Sequence, residues 1–356
     1  MTIEVKTSQP YTVIVERGAM SRVGEIARKK KQAAAKAMVI SDTNVFPLYG
    51  AQVKASLETA GFQVSCFIFP AGEEHKQMAT VCDMYQALAE NSFTRTDLVV
   101  TLGGGVTGDM GGFAAATFLR GMDFLQVPTT LVSQADASVG GKTGVDLPFG
   151  KNLVGAFHQP IGVVTDPLAL ATLPKHIFND GLGEVIKHGC IADKELFQAL
   201  EQGAALDDLE QVVARSVAIK RDFVEADTLD TGRRMILNFG HTCGHALEKL
   251  HDFRGLSHGE AVGVGMVLAC QAGERLGITQ PGTGARIKAV LAKYGLPTST
   301  SFTPKEIVEA TALDKKSDGE ALRLILLKEI GESLINPINR EELLQALRIG
   351  GEQWQS

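Results

Sequence analysis

The chain has 356 residues, of which 44% are hydrophobic and 21% charged, and its formal net charge is −6. Such a composition excludes a disordered chain, and the acidic balance argues against a nucleic-acid partner, which needs a basic surface to displace counterions. No apolar run of about 18 residues is present to span a membrane, and the length calls for two domains rather than one core.

The N-terminal stretch lacks a basic segment followed by an apolar core, so no signal peptide is expected. Five cysteines (Cys66, Cys82, Cys190, Cys243 and Cys270) are scattered without a C-x-x-C pair, a pattern suited to free thiols in the cytoplasm. In chain order, β-rich runs are predicted at Tyr11–Val15, Ala37–Ser41, Gln63–Phe69, Leu98–Leu102 and Gly162–Thr165. Amphipathic helices are predicted between them at Met20–Lys31, Val45–Ala60 and Gln77–Glu90. This alternation predicts βαβ units and a mostly parallel sheet covered by helices. From about Pro174 helical periodicity dominates, at Lys175–Ile191, Leu206–Ala226, Asn238–Leu250, Gly259–Leu276, Thr283–Tyr294 and Pro304–Leu313. Only Leu322–Leu327 and Ser333–Ile335 read as strands there, paired as a small hairpin. The expected fold is α/β plus α: a Rossmann-like parallel-sheet domain over 1–173, then a mostly helical domain over 174–356.

The strand at Leu98 runs into Gly103-Gly104-Gly105-Val106-Thr107-Gly108-Asp109. Glycines there let the backbone approach a pyrophosphate, and the helix that follows offers unpaired N–H groups and a positive dipole end. The motif falls at the fourth predicted strand, not the first as in the standard dinucleotide placement. Asp42, past the second predicted strand, is either a ribose acceptor or a turn cap. His241 and His245 lie four apart and share a helix face, the spacing of zinc-binding histidine pairs. His258 opens the next helix, and Glu184, one turn before Lys187, could supply a carboxylate. Two histidines with a carboxylate and an open position make a catalytic zinc arrangement. Cations recur in polar, glycine-rich settings: Arg120, Lys142, Lys151, Lys187, Lys220, Arg234, Lys315 and Lys316. Gly140-Gly141-Lys142-Thr143 is not a P-loop, because position 136, where that motif needs glycine, is Asp136.

Taken in order, these segments resemble the 3-dehydroquinate synthase family from roughly Asp42 to Gly331. The matching runs are 103–109, 126–131, 136–144, 150–152, 183–187, 237–245, 258–262 and 314–316. The resemblance implies metal ligation by Glu184, His241 and His258, and it makes His245 an acid/base or phosphate contact instead of a ligand. It puts NAD contacts on Asp42, Glu73, Lys76, Gly104, Gly105, Val106, Asp109, Thr129, Thr130, Lys142, Lys151 and the stretch Ala169, Leu170, Ala171 and Thr172. Substrate contacts fall on Asp136, Lys142, Asn152, Lys187, Lys220, Arg234, Asn238, His245 and either Lys315 or Lys316. Asp230 stands where many members carry glutamate. Arg120 matches the residue that reaches across a homodimer interface.

The implied reaction converts 3-deoxy-D-arabino-heptulosonate 7-phosphate to 3-dehydroquinate and phosphate, forming the first carbocycle of the shikimate pathway. Oxidation by NAD, phosphate elimination, reduction and intramolecular aldol closure follow one another, with one divalent metal, Zn or Co. A substrate bearing both carboxylate and phosphate explains the cations in an acidic chain. Lys220 and Arg234 are implied at the carboxylate, and Lys142, Asn152, Asn238 and His245 at the phosphate. The alternatives are a metal-dependent polyol dehydrogenase of the glycerol dehydrogenase kind, another sugar-phosphate cyclase, and a non-catalytic NAD-binding regulator. A dehydrogenase of neutral substrates has little use for the cation set.

Overall fold

The computed structural model describes residues 1–252, 254–311 and 321–348. The chain divides into two compact units, Met1–Leu173 with Lys220–Leu229, and Pro174–Ile219 with Asp230–Ser356.

The first unit is built on nine strands: β1 (Thr2–Val5), β2 (Tyr11–Val15), β3 (Lys36–Asp42), β4 (Gln63–Phe69), β5 (Leu98–Gly103), β6 (Asp123–Pro128), β7 (Lys142–Leu147), β8 (Gly150–Phe157) and β9 (Gly162–Thr165). Seven form one sheet in the order β1-β2-β9-β6-β5-β3-β4, and β7 and β8 form a separate hairpin. Only β1 runs antiparallel to its neighbour; the other pairings in the large sheet are parallel. Helices α1 (Val23–Lys30), α2 (Ala51–Thr59), α3 (Met78–Glu90) and α4 (Gly105–Thr117) cover it. Side-chain alternation sorts the two faces. Val39 of β3 and Val100 of β5 pack with Val23, Val53 and Leu57 of α1 and α2. Met38, Ile40 and Val99 pack with Met84 and Leu88 of α3 and Met110 and Phe113 of α4. Both faces are thus apolar, which is why these strands carry no polar side.

The second unit holds α5 (Lys175–Ala192), α6 (Lys194–Gln202), most of α7 (Leu209–Ala226), α8 (His241–Leu250), α9 (His258–Arg275), α10 (Thr283–Lys293), α11 (Pro304–Thr311) and α12 (Arg340–Arg348), with an antiparallel hairpin of β10 (Ala321–Glu329) and β11 (Glu332–Asn339). Its centre depends on glycine. A Cβ on Gly259 would lie 2.0 Å from the Asp180 carbonyl oxygen, and one on Gly265 would lie 2.0 Å from that of Gly240. Helices α5, α8 and α9 therefore approach backbone to backbone, closer than any side chain permits.

The fold has the expected class, and several elements depart from the reading. Strands β1, β6, β7 and β8 and helices α6 and α12 are additional. The helix expected over Val45–Ala60 begins as a wide turn, Phe46–Gly50, and becomes regular only at Ala51. The one expected from Asn238 begins at His241, because a short 3-10 turn, Arg233–Asn238, precedes it and Gly240 takes a left-handed φ of 81°. Residues 312 and 313, expected to end α11, lie outside the described residues, as do Lys315 and Lys316.

One buried carboxylate ties the sheet's amino edge together. Asp97, just before β5, accepts hydrogen bonds from the backbone of Ala35 (3.3 Å), ahead of β3, and of Lys36 (3.0 Å), which opens it, and from the Thr94 amide (2.8 Å) and hydroxyl (2.9 Å). Burial alone would raise its pKa, but these donors hold the carboxyl below its usual value. With the folded pKa depressed, the stabilisation is present above the unfolded value of about 3.9 and is lost as pH falls through the folded one. Asp97→Ala is expected to cost about 1–3 kcal/mol at neutral pH, with the gap from the parent closing in acid. Urea titrations at pH 7 and at pH 3 measure both values.

Candidate functional site

In the first unit, the segments expected to touch NAD follow the carboxyl ends of parallel strands, except Lys142 and Lys151, which lie on the antiparallel β7–β8 hairpin. Asp42 ends β3, Glu73 and Lys76 follow β4, Gly104–Asp109 follow β5, Thr129 and Thr130 follow β6, and Ala169–Thr172 follow β9. That edge is where open α/β sheets bind ligands. Gly104 is extended and Gly105 opens α4. A Cβ on Gly104 would come within 3.1 Å of the Thr130 methyl, while one on Gly105 would meet only Ala137 at 3.9 Å. Thr129 donates its amide to the Gly103 carbonyl (3.0 Å), and its buried hydroxyl has no hydrogen-bond partner among the described residues. A glycine cradle at a helix start with an unused buried hydroxyl beside it fits a dinucleotide pyrophosphate. Asp42 serves as a turn cap here, its Oδ1 accepting from the Asn44 (2.9 Å) and Val45 (3.0 Å) amides, while its Oδ2 accepts from the Thr107 hydroxyl (3.3 Å). Tyr49 anchors the last segment through the Ala169 carbonyl (3.1 Å) and the Thr172 hydroxyl (2.6 Å); Leu170 is buried there and Ala171 exposed.

Lys76 is a hub. Its Nζ lies 2.7 Å from Asp109 Oδ2 and donates to Asn152 Oδ1 at 2.7 Å. Burial pushes the Lys76 pKa down, but Asp109 and Glu73 outweigh it and the net shift is upward. Glu73 and Asp109 are both raised by burial, against the downward pull of Lys76. Asn152 adopts a left-handed φ of 54° and gives its amide to Asp146 Oδ1 (2.7 Å); the Asp146 amide in turn reaches the Lys76 carbonyl (2.8 Å). Lys142 begins β7, Lys151 precedes Asn152 in β8, and Lys220 of α7 pairs with Asp136. Val106 lies in the first turn of α4.

In the second unit, Glu184 stands on α5 beside Gly183, His241 opens α8, and His258 opens α9 beside Gly259. The close helix approach brings the three together. His241 Nε2 is 3.6 Å and His258 Nε2 3.4 Å from Glu184 Oε1, and one donor atom from each residue fits within 4.8 Å. The start of α9 is locked by a capping box, in which Ser257 accepts from the Glu260 amide (3.4 Å) and Glu260 accepts from that of Ser257 (2.9 Å). His241 Nδ1 faces the Phe239 carbonyl at 3.2 Å, and His258 Nδ1 faces Glu248 Oε1 at 3.5 Å. Lys187, one turn along α5, pairs with Glu184. Burial, then Lys187, holds the His241 pKa well below the imidazole range. For His258 burial also works downward, but Glu184 and Glu248 push it up to about 10. A buried carboxylate facing two imidazole Nε2 atoms is a donor set that fits a divalent zinc-type ion.

His245 is exposed on the same face, its ring centroid 5.4 Å from that of His241 and 6.2 Å from that of His258. Arg234 and Asn238 sit in the 3-10 turn before α8, with Arg234 buried. Six non-glycine residues have left-handed φ among the described residues, and three of them are Arg120 (67°), Asn152 (54°) and Asp230 (59°). Strained backbone of this kind gathers at working positions. Glu248 and Asp146 are absent from the sequence reading. For Glu248 the signal is its place seven residues after His241 and three after His245, on one helix face. For Asp146 none is legible, because its role depends on a bulge between Val145 and Leu147.

The model for the 3-dehydroquinate synthase N-terminal part matches residues 66–180, and that for the C-terminal part residues 181–317. The chain is 44% identical over 354 residues to a 3-dehydroquinate synthase of Clostridium acetobutylicum, covering 98% of this chain and 99% of that one. To a 3-dehydroquinate synthase of Streptococcus pneumoniae (strain JJA) it is 43% identical over 340 residues, 94% and 96% of the two chains. Among solved structures, 2-epi-5-epi-valiolone synthase from Streptomyces hygroscopicus, with NAD+ and Zn2+ bound, superposes with TM-score 0.83 at 27% identity over 95% of this chain and 96% of that one. A 2-deoxy-scyllo-inosose synthase complex superposes with TM-score 0.87 at 24% identity, over 98% and 100%, and speaks for the fold.

Gly259 decides whether Glu184 and His258 can meet. Gly259→Ala is expected to destabilise the chain by about 1–3 kcal/mol or more through overpacking against the Asp180 backbone. A denaturant midpoint equal to that of the parent would mean α5 and α9 separate without cost.

Proposed function

The chain belongs to the 3-dehydroquinate synthase family, and from that premise we propose that it converts 3-deoxy-D-arabino-heptulosonate 7-phosphate to 3-dehydroquinate and inorganic phosphate, as a carbon–oxygen lyase. One observation carries the reading: both family halves run in order through 66–317, and the glycine cradle and the carboxylate–histidine cluster both lie inside them. The first unit takes the nucleotide, at Gly104, Gly105, Thr129 and the Lys76 hub. The second takes the metal, on Glu184, His241 and His258.

NAD, when bound, accepts and returns one hydride at a substrate carbinol, and the divalent metal polarises that carbinol's oxygen. The chain's own residues bind, orient and move protons. Arg234 presents a guanidinium suited to bidentate pairing with a carboxylate, and its burial strengthens that contact. Lys142 and Asn152 meet the phosphate from β7 and β8, and the backbone of Asn152 is already fixed by Asp146 and Lys76. His245, exposed beside the ligand set, carries protons as acid or base. Lys187 lies against Glu184 and supplies positive charge to the same cluster. Holding one substrate conformer orients each bond change in turn.

The strained, exposed Arg120 supports the reading of a homodimer in which this residue serves the partner copy. Five free cysteines support a cytoplasmic setting, and the net charge of −6 supports small-molecule over nucleic-acid partners. No helix among the described residues is long and apolar enough to cross a membrane.

Two measurements test the reading. His241→Ala is expected to weaken metal binding by more than the about tenfold to hundredfold that loss of an outer-shell partner costs. His245→Ala should keep the metal and lose about 10²–10⁴-fold in rate. Equal metal loss in both variants, by elemental analysis after dialysis, would sink the ligand assignment. The second measurement follows released phosphate and NADH absorbance together at limiting NAD+. Phosphate should far exceed total NAD while NADH stays at or below the enzyme concentration. NADH accumulating in step with substrate loss, without phosphate, would make the chain a polyol dehydrogenase.

A further inference from the structure

Glu248 lies on α8, among the buried residues Cys243, Ala246 and Leu247, and is itself only 5% exposed. An apolar side chain is the default at such a position, since burying a carboxylate is costly unless a partner answers it. One partner is His258. Its Nδ1 is 3.5 Å from Glu248 Oε1, while its Nε2 is 3.4 Å from Glu184 Oε1, so the ring is strung between two carboxylates. His241 is arranged the same way with a different outer partner: Nδ1 toward the Phe239 carbonyl and Nε2 toward Glu184. A carbonyl or carboxylate oxygen can only accept, so each Nδ1 carries a proton toward its outer partner, and a cation held by Glu184 would take the place of any proton at Nε2.

We propose that Glu248 is the positioning residue that fixes the tautomer and orientation of His258, and so sets the affinity of the Glu184–His241–His258 site for its divalent metal. This rests on the reading of those three residues as ligands. Glu248 differs from the Phe239 carbonyl in carrying a full negative charge, which raises the basicity of the imidazole it holds. The two histidines are therefore unequal: the charged outer partner is on the α9 ligand, and the neutral one is on the α8 ligand. A different use of the same carboxylate, direct ligation in a second cluster with His245 and His258, is also within reach, because one donor atom from each of those residues fits within 4.8 Å.

The test uses the full-length chain, stripped by a chelator and titrated with Co2+ against a competing indicator, with the visible d–d spectrum recorded. Glu248→Met keeps the volume and removes the acceptor; Glu248→Gln keeps an acceptor oxygen and removes the charge. Glu248→Met is expected to weaken Co2+ binding about tenfold to hundredfold, with NAD affinity and the melting temperature of the metal-free chain not lowered. Glu248→Gln should recover part of that loss. Wild-type affinity and spectrum in Glu248→Met, alongside weakened binding in His258→Ala, overturn the proposal alone. Unchanged affinity in His258→Ala overturns the ligand reading, and the proposal with it. Two equivalents of Co2+ in the wild type and one in Glu248→Met would make Glu248 a ligand and not a positioning residue.

Discussion

Glu184 is 3% exposed, and an ionised carboxylate at that depth is tolerable only with positive charge against it. In the second unit three side chains converge on it, of which Lys187 and His258 carry the charge. Lys187 comes from its own helix one turn on, and His241 and His258 come from the first residues of two others. Side chains at the starts of α8 and α9 can reach α5 only because glycines strip the contact surfaces to backbone. Glycine is usually a weakness in a helix, costing roughly 1 kcal/mol relative to alanine. Here that loss permits an approach in which a carboxylate and two imidazoles converge, and three helices become rigid mounts for them.

The first unit solves a different problem by different means. Parallel strands end together, so a sheet gathers residues distant in sequence along one edge without any special packing. What the edge lacks is fixed side-chain geometry, and Lys76 supplies it. It joins Asp109 of the glycine-loop helix to Asn152 of the β7–β8 hairpin through one ammonium. Buried ion pairs contribute little net stability, and their better-attested use is to specify a single arrangement. The Lys76 network fits that description.

The architecture was legible wherever burial writes a period into the chain. Strands β3 and β5 are apolar on both faces, and α3, α5 and α9 carry clear helical patterns, so their positions are close to those expected. Strand β6 escapes because Gln126, buried within it, breaks the apolar run, and Pro128 ends it. The β7–β8 hairpin escapes for a different reason. Gly144 and Gly155 face each other across it, with a Cβ on either falling 2.1–2.5 Å from the opposing backbone, and glycine is the residue that strand propensity counts against. Residue spacing alone pairs His241 with His245, since it sees one helix at a time; the position of His258 across the helix contact is what brings its Nε2 to Glu184. Asp42 shows the complementary ambiguity, for an aspartate that caps a turn and one that could receive a ribose read identically in sequence.

The left-handed residues have a consequence for anyone who sets out to make this protein hardier. Leu119 and Arg120 hold φ of 51° and 67° in succession, on an exposed segment. Each such residue gives up about 1–2 kcal/mol relative to an ordinary backbone, and glycine relieves most of it. Laboratory evolution for heat tolerance would therefore drift toward glycine at Leu119, Arg120 and Asp230. Leu119 can follow that drift freely. At Arg120, whose side chain the proposed homodimer gives to the partner copy, the same step would discard that side chain, so thermal selection and selection for turnover would pull this position in opposite directions.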